Sequence, residues 1–356
     1  MPLVINGGHV PEHWAQESAR GLHGVPSNGS ASHASVNGSA HSSLKIALIN
    51  NMPDAALEDT EAQFFSLLEG AAGDIRVDVT LYSLPDVPRG ERVQGHLANF
   101  YRSTNELLHQ DLDGAIVTGT EPRQRNLRDE PYWANLAAVF DWATKRTTST
   151  VLSCLAAHAS VLHSDGIDRT PLPDKQFGVF PYQRIGAHPL TAGLPPVVFF
   201  PHSRWNEVRP ESLAAAGYDL LDGSADDGVN LFVGKKGRSL FVHFQGHPEY
   251  AAHTLLKEYR RDVRRFLKQE RPTFPSLPHG YFDAAAEQPL AEFRRFAEAN
   301  PVEDSFAAFP ENALTSSLNN SWQNSARTIY RNWLQLLLSQ RDSTSHIAPL
   351  APAVRA

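Results

Sequence analysis

One cysteine, Cys154, stands among 356 residues. A single thiol excludes an intrachain disulfide and a cysteine-rich zinc site, and it fits a reducing, cytoplasmic setting. No apolar run approaches the roughly 18 residues that would span a bilayer, and the N-terminus has no basic stretch leading into an apolar core, so neither a membrane segment nor a signal peptide is expected. Positive charge is scarce: 32 Lys and Arg face 39 Asp and Glu, a net charge of −7. That balance argues against nucleic acid or an anionic membrane as the main partner. The 16 histidines show no HExxH or comparable ligand spacing, so no metal is expected.

What is present divides the chain. Residues 1–44 are poor in large apolar side chains and repeat Ser, Asn and Gly, as in Ser27-Asn28-Gly29-Ser30 and Asn37-Gly38-Ser39. Such a segment buries too little apolar area to offset the entropy of ordering it, so a flexible arm is expected, with its first 20 residues free to dock elsewhere. Residues 45–270 read as the catalytic domain, 271–345 as a C-terminal extension packed on it, and 346–356 as a loose tail.

Within 45–270, short apolar runs alternate with helical patterns. Residues 45–50, 77–82, 115–119 and the run leading to Cys154 read as buried strands. Thr60-Glu61-Ala62-Gln63 has capping-box spacing and opens a helix, with Gly70 as its C-cap. Residues 83–96 read as a polar loop, and 132–144 and 155–163 as helices. The order βαββαβα is that of a parallel sheet covered on both faces. Beyond Gly166 the pattern turns to strands at 178–180, 197–200, 230–234 and 239–245. A basic helix follows at 252–268, then a Pro-rich connector with one short helix near 289–299, and an amphipathic helix over 321–340.

Sites in such sheets form outside the carboxyl ends of the strands. Cys154 lies at a strand–helix turn, where the helix macrodipole favours thiolate; a buried structural thiol is the competing reading. A cysteine nucleophile needs a base and the base an orienter. Gly246-His247-Pro248-Glu249 offers both, because side chains two apart in an extended segment point the same way. His158, one turn after the thiol, is the competing base. An acyl intermediate needs an oxyanion hole, with the Leu155 N–H as one donor and either Asn50–Met52 or Thr118-Gly119-Thr120 as the second. Arg261, in the basic helix, could clamp a substrate carboxylate.

Cys154 after its strand, Pro201-His202-Ser203-Arg204, Gly246-His247-Pro248-Glu249-Tyr250 and Glu258-Tyr259-Arg260-Arg261-Asp262-Val263 together resemble the homoserine O-succinyltransferase family. Asn51-Met52-Pro53, His96 to Tyr101, Asp113 to Gly119, Tyr132-Trp133, Ser321-Trp322 and Asn332-Trp333-Leu334 fit the same pattern in order. The resemblance implies a three-layer, class I glutamine-amidotransferase-like (flavodoxin-like) α/β fold with a C-terminal helical extension, no cofactor, and a homodimer as one option. It implies acyl transfer from succinyl-CoA to L-homoserine for methionine biosynthesis, with Cys154 as acyl carrier, His247 as base and Glu249 as its partner. It also places substrate contacts at Lys175, Ser203 and Arg261. Two departures stand out: Asp54-Ala55-Ala56 replaces lysines usual after Met-Pro, and Arg123 occupies the position that tracks acyl choice, where its guanidinium could pair with a succinyl carboxylate. Acetyl-CoA as donor, or another amino-acid hydroxyl such as that of serine, stays open. A glutaminase is the further alternative, though Leu152-Ser153-Cys154-Leu155-Ala156 lacks the Gly-x-Cys-x-Gly elbow.

Overall fold

The computed structural model describes residues 2–6, 43–314 and 318–345. The strands there are β1 (Leu3–Ile5), β2 (Leu44–Ile49), β3 (Val77–Tyr82), β4 (Leu112–Val117), β5 (Thr147–Ser153), β6 (Thr170–Arg184), β7 (Val197–Glu207), β8 (Asp219–Leu220), β9 (Asp222–Gly223), β10 (Leu231–Lys236) and β11 (Ser239–Phe244). The longer helices are α1 (Leu57–Ala72), α2 (Glu91–Phe100), α3 (Trp133–Arg146), α4 (Leu155–Asp165), α5 (Thr254–Leu267), α6 (Ala284–Ala299) and α7 (Gln323–Ser345).

The main sheet runs β1-β3-β2-β4-β5-β11-β10-β8. The pairings from β1 through β11 are parallel, and β10 joins β11 antiparallel. The central run β3-β2-β4-β5-β11 is the 2-1-3-4-5 order of a doubly wound, flavodoxin-like sheet. Its strands are apolar on both faces because both faces are covered. On one side Phe64 and Leu68 of α1, Leu255 and Val263 of α5, and Trp333 and Leu337 of α7 share a core with Ile46, Leu48 and Val151. On the other, Leu136 and Phe140 of α3 and Ala156 and Ala159 of α4 pack with Ala47, Val117 and Leu152. This is the expected three-layer α/β arrangement.

Several local expectations change. The helix expected to open at Thr60 begins at Leu57 and runs to Ala72, with Gly73 (φ 57°) at its C-cap. Gly70 lies inside it, where a Cβ would fall 2.7 Å from Arg327 Nε. Glu61 is no capping residue: its carboxylate is buried and bonded to His96 Nε2 at 2.9 Å and to Tyr101. The polar stretch 83–96 contains the start of α2, which buries only Val93 and therefore carries almost no apolar stripe to reveal it. Helix α6 starts at Ala284, ahead of the expected 289, because the Asp283 side chain accepts hydrogen bonds from the Ala285 and Ala286 N–H groups.

The start of the N-terminal arm is docked on the sheet. Leu3–Ile5 adds a parallel strand to the edge of β3, and Asn6 donates to Phe100 O at 2.6 Å. The rest of the expected arm, and the expected tail 346–356, lie outside the described residues. Strands β7, β6 and β9 form a second, antiparallel sheet. Helix α7 packs on the sheet, where Trp333 Nε1 donates to Ser149 Oγ at 3.0 Å, and Trp322 Nε1 donates to Tyr250 O at 2.8 Å.

Candidate active site

Cys154 caps the N-terminus of α4 with φ 53° and ψ −114°. A left-handed backbone at a non-glycine residue costs on the order of 1–3 kcal/mol and persists only where the surroundings enforce it. Here the Cys154 N–H donates to Phe244 O at 2.8 Å, tying the turn to the adjacent strand β11. The thiol remains partly exposed, which favours an accessible nucleophile over a fully buried structural thiol.

Strand β11 delivers the other two groups. Its last residue, Phe244, pairs with Ser153 at the end of β5, so the chain beyond it enters the same crevice as Cys154. Residues 247–250 form a turn rather than the extended segment expected: Tyr250 N–H donates to His247 O at 3.2 Å, with Pro248 at the corner. The two side chains meet nonetheless, His247 Nδ1 lying 2.9 Å from Glu249 Oε1. Ser153 Oγ donates to the same carboxylate at 3.2 Å. Gly246 is required at this bend, because a Cβ there would fall 2.7 Å from Pro201 O and 2.8 Å from Asn230 Oδ1. Burial works against charge on His247, but Cys154 and Glu249, through both charge and hydrogen bonding, outweigh it and raise its pKa well above the ordinary value. An imidazolium between the sulfur and a carboxylate is the counter-ion that a thiolate nucleophile needs.

His158 is bonded away from the thiol. Its Nε2 lies 2.9 Å from Gln245 Oε1, while the Gln245 amide nitrogen donates to Val208 O and Val229 O. The Gln oxygen is therefore the acceptor and His158 Nε2 the donor. Burial, with nearby Arg204, pushes the pKa of His158 down to about 3. It is a neutral, hydrogen-bonded core histidine.

Lys175, Ser203 and Arg261 come together on one face of α5. Lys175 Nζ lies 3.7 Å from Glu258 and 3.4 Å from Asp262. Ser203 Oγ donates to Glu258, and Arg261 Nε donates to Asp262 at 3.2 Å. Glu258 in turn accepts from Tyr250 Oη at 2.6 Å, and the Tyr250 ring stacks on His247 with centroids 4.2 Å apart. The cationic cluster is thus coupled to the Cys-His-Glu set through one tyrosine.

A family model described as homoserine O-succinyltransferase matches residues 30–344. The homoserine O-succinyltransferase of Methylorubrum extorquens is 45% identical over 294 residues, 83% of this chain and 87% of that protein. That of Rhodopseudomonas palustris is 43% identical, covering 83% of this chain and 89% of its own length. The chain belongs to the homoserine O-succinyltransferase family. It is an enzyme, a transferase, and its main sheet has the doubly wound, three-layer α/β order that the resemblance implied. Among solved structures, a glutamine amidotransferase from Methylobacillus flagellatus shares 12% identity at a TM-score of 0.46, over 83% of this chain and 94% of that one.

Two further features of this family member bear on the acyl group. The Thr118-Gly119 turn leans on the start of α4, where a Cβ on Gly119 would fall 2.8 Å from Leu155 Cβ and 3.0 Å from Leu155 N. The N–H groups of Asn50, Asn51 and Met52 are spent on Tyr82 O, Thr118 Oγ1 and Asn50 Oδ1. Those of Gly119 and Leu155 have no acceptor among the described residues. Arg123 lies on the loop that follows; its N–H donates to Glu130 Oε1 and its side chain is exposed. Sequence reasoning passed over Arg169, which lies before β6 and donates to Gln124 O and Arg125 O at 3.2 Å each. It sits in no motif, and only tertiary proximity marks it.

Proposed function

We propose that this chain transfers a succinyl group from succinyl-CoA to the γ-hydroxyl of L-homoserine by a ping-pong mechanism, giving O-succinyl-L-homoserine for methionine biosynthesis. The observation that carries the reading is Cys154 at a strained strand–helix turn beside a His247 that is oriented by Glu249. The Cys154 sulfur attacks the thioester carbonyl, a new C–S bond forms, and the bond to CoA breaks. The departing CoA sulfur takes its proton from His247. In the second half, His247 removes the proton of the homoserine hydroxyl, whose oxygen attacks the enzyme thioester and releases Cys154. The Leu155 and Gly119 N–H groups receive the oxyanion in both halves. Arg261 clamps the homoserine carboxylate in fork geometry, with Lys175 and Ser203 beside it.

Intact-protein mass spectrometry after mixing with succinyl-CoA tests this reading. A mass gain of one succinyl group is expected, absent in Cys154→Ala and discharged by homoserine. No adduct together with no release of free CoA overturns it. Release of ammonia from glutamine instead would make the same triad a glutaminase.

A further inference from the structure

The donor reading above leaves one group without a receiver. A succinyl thioester carries a second, anionic carboxylate about 5 to 6 Å from the sulfur, at ordinary bond lengths. Burying it beside Cys154 needs a cation and hydrogen-bond donors.

Two buried polar atoms near α4 have no partner among the described residues: Tyr132 Oη and Glu130 Oε2. Each residue is only 4% exposed. Tyr132 caps α3 and packs in the same cluster as Leu155 and Ala159 of α4, so it lies on the Cys154 side of the sheet. A buried hydroxyl without a partner costs on the order of 1–3 kcal/mol unless something else bonds it. Beside these stands Arg169. Its Nη2 donates to the carbonyls of Gln124 and Arg125, which leaves Nε and Nη1 without a hydrogen-bond partner among the described residues. The loop it straps starts at Gly119, against the Cys154 helix, and ends at Glu130, whose Oε1 holds the N–H groups of Arg123 and Gln124. Arg169 is therefore held by a loop whose first residue, Gly119, abuts the start of α4. Burial lowers the pKa of Arg169, and Tyr132, Glu130 and Cys154 act against that lowering.

We propose that Arg169 and Tyr132 form the subsite for the distal carboxylate of the acyl group carried on Cys154, and so set the preference for a dicarboxylic donor. Arg169 supplies the charge and a two-pronged donor, and Tyr132 supplies the hydroxyl. Glu130 favours the charged form of Arg169 against burial and, through the Arg123 and Gln124 N–H groups, holds the loop whose carbonyls Arg169 straps. Arg123, the position singled out from sequence for this role, has an exposed side chain and contributes its backbone N–H to the loop.

The inference rests on the proposed succinyl transfer, and its test separates the two. Butyryl-CoA matches succinyl-CoA in length without the carboxylate. The ratio of kcat/KM for succinyl-CoA over butyryl-CoA, with homoserine as acceptor, is measured in the wild-type chain and in Arg169→Gln, Arg169→Lys and Tyr132→Phe. Loss of a hydrogen bond to a charged group corresponds to about 10- to 100-fold. The ratio is therefore expected to fall by about that factor in Arg169→Gln, to recover in part in Arg169→Lys, and to fall about 10-fold in Tyr132→Phe, a variant that removes one oxygen and keeps the ring packing. An equal loss with both donors would mark Arg169 as a strap of the loop only and overturn the subsite. So would a shift of the ratio in Arg123→Gly with none in Arg169→Gln or Tyr132→Phe. A wild-type chain inactive with succinyl-CoA would remove the functional reading itself, and the subsite with it.

Discussion

Replacing Glu249 by Gln isolates the role of the carboxylate behind His247. The amide keeps the size and can still accept from Ser153 Oγ, so the turn 247–250 and its buttress, the Trp322 bond to Tyr250 O, should persist. What disappears is the charge on the acceptor 2.9 Å from His247 Nδ1. Hydrogen bonds to charged groups contribute about 1.5–3 kcal/mol, so kcat/KM should fall roughly 10- to 100-fold at 1.36 kcal/mol per decade. Stability carries its own signature. His247 has a pKa raised above its unfolded value, with Cys154 and Glu249 as the raising groups. Its stabilising contribution is therefore fully present below the unfolded value near 6.5 and declines as pH rises through the folded pKa. Glu249→Gln removes part of that contribution, so the stability gap between wild type and variant should be wider at pH 6 than at pH 9. Urea midpoints at the two pH values and CoA-release kinetics measure both effects. A variant within threefold of wild-type kcat/KM, or a gap that widens towards alkaline pH, would refute the assignment of Glu249 as orienter and counter-charge.

Gly119→Ala should keep the fold while lowering kcat at least 10-fold, because its Cβ would press on the Leu155 backbone that begins α4; a misplacement of about 1 Å can cost 100-fold in rate. Unaltered turnover would remove that turn from the oxyanion site. The chain should also lose stability in mild acid. His158 and His243 are held down to about 3 and His202 well below its ordinary value, each chiefly by burial. Each depressed histidine weakens the fold as pH falls below 6.5, by up to about 1.4 kcal/mol per pH unit. Asp222, raised to about 6 by burial, acts in the opposite sense. The net slope between pH 6 and 4 is expected to reach about 3 kcal/mol per unit, and equal urea midpoints at pH 7 and 5 would contradict it.

The parts of this protein legible in its sequence are those where local pattern and burial agree. The runs 45–50 and 77–82 are apolar because helices cover both faces of the sheet, and they appear as β2 and β3 within a residue. The lone cysteine and the two-residue spacing of His247 and Glu249 pointed to groups that the fold brings to one crevice, although a turn, not an extended segment, brings the His–Glu pair together. Helix α2 went unread because it buries one side chain, and the start of α6 because Pro289 lies inside it while its cap lies earlier.

Tertiary structure alone decided the rest. Edge pairing of Leu3–Ile5 with β3 depends on main-chain hydrogen bonds, which composition does not encode. That the His247 imidazole meets a carboxylate and the His158 imidazole a buried amide is also tertiary. Arg169 stands 15 residues beyond the thiol in no motif, and only the folded loop 119–130 brings the Gln124 and Arg125 carbonyls to it. Residue types and strand ends follow from short-range pattern; the partners of a buried polar group follow from packing between segments far apart in the chain.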